Sequence, residues 1–80
     1  MSDKIKQDIS IGENLKALRK QAKLSQEQVA SQLQVRQLPV SREILSQMEQ
    51  GRYSIRVSVL LALKEIYHVD SFDAFFENLN

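Results

Sequence analysis

Cysteine is absent from the 80 residues, which excludes disulfide staples and cysteine-based zinc sites and fits a reducing compartment. Proline occurs once and glycine twice, and no run shows the alternation of β-branched residues that marks a strand. No apolar run approaches the ~20 residues needed to span a bilayer, and the opening stretch MSDKIKQDIS lacks the apolar segment of a signal peptide. A cytoplasmic protein with no membrane partner is the expectation. His68 is the only histidine, and neither a phosphate-cradling glycine loop nor a metal-ligand cluster is present. An enzyme is therefore not expected, nor a cofactor or a small-molecule substrate.

What the chain does have is an ordinary globular composition, 42% apolar and 26% charged, in a length that holds one small core. The net charge of +1 is unevenly spread. Residues 1–23 carry six Lys/Arg against three Asp/Glu, residues 24–56 four against three, and residues 57–80 one against four. A basic front and an acidic tail suit a module that meets an anionic polymer with one side only.

Helical signals recur along the chain. Ser10 with Glu13 reads as a capping box opening a first helix from Ile11 to Ala22, with Leu15, Leu18 and Ala22 on its apolar face. Ser25 with Gln28 opens a second from Gln26 to about Leu33, carrying Val29, Ala30 and Leu33. Pro39 disfavours helix at Leu38, so residues 35–40 read as a turn anchored by Leu38 and Val40. Ser41 caps a third helix with Ile44, Leu45 and Met48 inward and Gly51 as its terminating residue. Ile55 to Tyr67 is the most apolar segment and is expected to be the central helix. Ser71 opens a short fifth helix ending near Leu79. Residues 1–9 are expected to form a flexible arm and residues 10–80 the domain.

Three blocks narrow this plan: IGENLKALRKQAKLSQEQVASQL, VSREILSQMEQG and VSVLLALKEIYHVDSFDAFF. Together they closely resemble the lambda-repressor/Cro-like (Xre-type) helix-turn-helix family of bacterial and phage regulators. The resemblance covers residues 11–76 and implies an all-α, five-helix DNA-binding fold. LSQEQVA matches the second helix of the motif and VSREILSQMEQG its recognition helix. The chain departs from the family between Leu33 and Ser41, where QVRQLPV is several residues longer than the usual tight turn. The insertion resembles that of a branch of the family with an extended turn.

The resemblance implies double-stranded DNA as partner, with the third helix in the major groove. On that reading Arg42 offers two donors to guanine, Gln47 a donor and an acceptor to adenine, and Glu43 an acceptor to cytosine. Each of these side chains also reads as an ordinary solvated residue, and Ile44 reads as core rather than as a thymine contact. Gln26 and Ser41 stand at helix starts suited to phosphate, and Gln50, Arg52 and Tyr53 follow the recognition helix as candidates for the flanking backbone. Arg36 in the long turn is a further candidate, whereas Lys16, Lys20 and Lys23 read as solvated charges. The family often pairs Arg19 with Glu49 as a structural ion pair.

Phe72 and Phe76 are expected in the core, and Tyr67, Phe75 and Leu79 are candidates for the contact of a homodimer. Two recognition helices about 34 Å apart would read a palindromic operator, as a repressor does. The rival reading is a protein-interaction module of the same fold, such as an antitoxin or a regulatory partner.

Overall fold

The computed structural model describes residues 4–5, 10–52 and 54–78. Four α-helices carry the fold: α1 (Gly12–Gln21), α2 (Gln26–Val35), α3 (Arg42–Glu49) and α4 (Val57–Ile66). A 3-10 turn follows at Phe72–Phe76. Two short strands, β1 (Lys4–Ile5) and β2 (Ile55–Arg56), pair antiparallel with Lys4 opposite Arg56 and Ile5 opposite Ile55. This pairing brings two residues of the N-terminal segment onto the domain. It also delays the start of α4 to Val57, two residues after the expected Ile55.

Helix starts show which sequence signals operate. In α2 the Ser25 hydroxyl accepts from the Gln28 amide at 3.1 Å while Gln28 Oε1 accepts from the Ser25 amide at 2.8 Å, a complete capping box. In α3 the Ser41 hydroxyl accepts from the Ile44 amide at 3.2 Å. The box expected at Ser10 and Glu13 does not form. The cap residue is Ile11, so Ser10 sits one position too early and its hydroxyl accepts from the Gly12 amide at 3.0 Å.

All four helices end alike. The residue after each cap adopts a left-handed backbone: Lys23, Gln37, Gly51 and His68, with φ between 56° and 77°. Its amide and the next return to carbonyls of the last turn, as with Gln37 to Gln34 and Leu38 to Leu33, both at 2.9 Å. This is the Schellman closure, which favours glycine because a side chain is strained at positive φ. Only α3 has glycine there. At the other three ends the following residue, Leu24, Leu38 or Val69, is apolar and packs on the core, the hydrophobic contact that accompanies this motif. The long turn before α3 is thus held by Leu38 and by Val40, which is buried.

The core gathers Leu15, Val29, Leu33, Leu45, Met48, Ile55, Val59, Leu63 and Phe75, all essentially inaccessible. The expected fifth helix is the single 3-10 turn at Phe72–Phe76, and the assignment of its aromatics is reversed. A three-residue period brings Phe72 beside Phe75, so the period accounts for their contact and not for which of the two is buried. Their rings lie 6.1 Å apart. Phe75 is fully buried and Phe72 and Phe76 are exposed.

Candidate nucleic-acid interface

Helix α3 packs against both α1 and α2, and it does so with one side only. Leu45, Met48 and Glu49 are buried, Ile44 and Ser46 are half-buried, and Arg42, Glu43, Gln47 and Gln50 are exposed. At 100° per residue the four exposed side chains fall within a single arc centred near Gln50. Gln50 is steadied there, its Nε2 donating to the Ser46 hydroxyl at 3.2 Å. Ile44 lines an apolar cleft with Pro39, Val40, Met48 and Val59, and so belongs to the core side.

The orientation of α3 is set by a buried ion pair at its end. Arg19 Nε donates to Glu49 Oε2 at 2.7 Å and an Arg19 terminal nitrogen donates to Glu49 Oε1 at 3.1 Å. This two-pronged geometry is the strong form of a guanidinium–carboxylate contact. The remaining guanidinium nitrogen donates to the Leu24 carbonyl at 2.9 Å, fixing the turn between α1 and α2. The hydrogen bond to Glu49 raises the Arg19 pKa above its ordinary value, although burial opposes it. Glu49 has a third donor, Gln26 Nε2 at 3.0 Å. One carboxylate at the end of α3 therefore ties down α1, the following turn and the first residue of α2.

The bond from Gln26 changes what that side chain offers. With its amide nitrogen given to Glu49, its carbonyl oxygen is left as an acceptor, while the start of α2 presents backbone amides. Lys16, Ser25, Gln26, Glu27 and Arg42 line one cleft between the starts of α2 and α3 and the side of α1. Lys16 joins this set although its sequence context marks it only as a solvated helix charge. Nothing in the spacing of residues 16 and 42 signals their proximity; the packing of α1 across α3 produces it.

The other candidates are dispersed. Arg52 is exposed and lines a polar cleft with Glu13, Gln50 and Glu77. Arg36 is drawn back to α2, donating to the Gln32 carbonyl at 3.2 Å and to its side-chain oxygen at 3.0 Å, with Glu65 at 3.9 Å. It does not join the face around Arg42. Tyr53 and Leu79 lie outside the described residues. Tyr67 and Phe75, considered for a subunit contact, are both buried within the monomer: Tyr67 closes α4 against the core and Phe75 is fully enclosed. Neither presents a side chain to a second copy.

A pair of helices joined by a turn, the second capped at its start, wedged onto the first by buried residues and exposing a polar face, is a helix-turn-helix unit. The chain belongs to the helix-turn-helix domain family, of the Xre/Cro-like type, whose family model matches residues 10–74. No curated protein and no solved structure matches the chain significantly. Membership of this typically non-enzymatic family points to DNA binding and to transcription regulation. Among the described residues no helix is long and apolar enough to cross a membrane.

Proposed function

We propose that this protein is a sequence-specific transcriptional repressor that reads a palindromic operator as a pair of copies, each with α3 in the major groove. The observation that carries the reading is the exposed face of α3, where Arg42, Glu43, Gln47 and Gln50 project from a helix capped at its start by Ser41. Arg42, Glu43 and Gln47 have the donors and acceptors to distinguish base edges. The amides at the starts of α2 and α3, beside Gln26 and Ser41, suit phosphate oxygens, with Lys16 supplying positive charge in the same cleft and Arg52 a separate charge past the end of α3. Gln50 and Tyr53 complete the backbone set; Arg36, drawn back to Gln32, stands apart from it as a separate candidate.

Selection from a randomised duplex library at near-physiological salt tests this reading. A two-fold symmetric site is expected to emerge. Arg42→Ala and Gln47→Ala are each expected to weaken binding to that site by about 1 to 3 kcal/mol while leaving binding to unrelated duplex nearly unchanged. Lys16→Ala is expected to weaken both alike. A folded protein that enriches no sequence would turn the reading to a protein-interaction module.

A further inference from the structure

On the inner side of α3, away from Arg42 and Gln47, the fold leaves a cleft of about 110 Å³. Ile44 and Met48 of α3, Val59 of α4, and Pro39 and Val40 of the long turn supply its apolar lining. The turn in which this chain departs from its family thus forms part of the cleft. Protein interiors leave few voids much larger than a water molecule, whose share of volume is only about 30 Å³. Hydrocarbon walls give water few hydrogen bonds, so the space favours an apolar occupant. An apolar cavity of about 150 Å³ takes up benzene, a body of six carbons. On that scale this cleft holds about four or five carbons.

Two polar residues complete the lining, half-buried Ser54 and exposed Arg56. Arg56 is the only charged residue among the described ones that form the cleft. A guanidinium beside a hydroxyl suits a carboxylate, and no acidic residue of the described lining opposes an anion there. A phosphodiester backbone would leave the apolar walls unused, and a plain hydrocarbon would leave Arg56 unused. The occupant that uses both is a small branched aliphatic acid.

We propose that this cleft binds a short branched-chain carboxylate, its hydrocarbon among Val40, Ile44, Met48 and Val59 and its carboxylate at Arg56 and Ser54. The site itself needs no DNA, while its regulatory use rests on the DNA-binding reading. An acid that fills the cleft favours the placement of α3 described above, so acid and duplex are expected to strengthen each other's binding. Methyl-labelled methionine gives two resonances, Met1 and Met48, and Met48 lines the cleft. Titration with isovalerate at constant ionic strength is expected to move the Met48 resonance saturably, with a dissociation constant of about 1 mM. Isoamyl alcohol, of the same shape without the charge, is expected to bind at least about threefold more weakly. Inorganic phosphate is expected to leave the resonance in place. Arg56→Gln is expected to bring the affinity for the acid down to that for the alcohol, and Ile44→Phe, at unchanged helical content, to abolish uptake of both. An immobile Met48 resonance up to about 50 mM isovalerate, equal affinity for acid and alcohol, the same movement with phosphate, or undiminished uptake by Arg56→Gln overturns the site. Saturating isovalerate is expected to tighten binding to the selected duplex about threefold or more. Uptake of the acid with duplex affinity unchanged overturns the regulatory use. Uptake by a protein that binds no duplex supports the site and defeats the DNA-binding reading.

Discussion

Among the described residues the buried phenolic oxygen of Tyr67 has no hydrogen-bond partner. An orphaned buried hydroxyl carries a desolvation cost with no return, so Tyr67→Phe is expected to stabilise the domain by about 1 kcal/mol, read as a higher urea midpoint at constant slope. A second readout is alkaline unfolding. Burial, aided by the nearby Glu49 carboxylate, pushes the Tyr67 pKa upward, so the neutral phenol is favoured in the folded state. The stability linked to it is fully present below the unfolded pKa of about 10 and is lost as pH rises beyond it. Tyr67→Phe is expected to flatten that part of the pH–stability curve, and an unchanged curve would show that the phenol ionises as readily in the folded state as in the unfolded one.

Gly12 matters at the scale of elements. A Cβ built there meets the Glu49 carbonyl oxygen and comes within 2.8 Å of the Met48 carbonyl oxygen, so the start of α1 lies directly on the end of α3. The contact opposes the positive end of one helix macrodipole to the negative end of the other. Gly12→Ala improves helix propensity by up to about 1 kcal/mol, but here the methyl would strike backbone, and overpacking costs about 1 to 3 kcal/mol. Net destabilisation is expected in thermal melts, together with a displaced α3.

Helix starts were legible because serine hydroxyls leave a sequence signature, as at Ser25 and Ser41. Helix ends were legible to within a residue at Ala22, Gly51 and Tyr67, but a glycine announces the left-handed turn only at Gly51; Lys23, Gln37 and His68 hold it without that residue. The aromatic tail misled because α-helical spacing pairs Phe72 with Phe76, whereas the chain forms a five-residue 3-10 turn that encloses Phe75 alone. The face of α3 could be read from amphipathic spacing, whereas the bond from Gln26 to Glu49 and the approach of Lys16 to Arg42 depend on how three helices cross.

At the scale of the whole molecule the stability of the fold and the aim of α3 depend on the same group. Glu49 is 7% exposed and joins α1, α2 and α3. Glu49→Ala leaves the Arg19 guanidinium buried without its carboxylate, a change that typically costs about 3 to 5 kcal/mol. Domains have roughly 0.05 to 0.15 kcal/mol of stability per residue, so this is a large share of the total for so short a chain. The variant is expected to lose helical circular dichroism and DNA binding together on warming, whereas Arg42→Ala is expected to lose binding with its melting curve intact.

The brevity of α3 sets how much it can say. Eight residues make little more than two turns, about 12 Å of helix, from which three or four side chains reach base edges in such motifs. A reader of about four base pairs distinguishes some 250 words, or roughly eight bits, and among the million or more sites of a genome such a word recurs thousands of times. On the proposed reading, a single copy therefore carries an address too short to be unique, and the information needed to find one operator exists only in the pair.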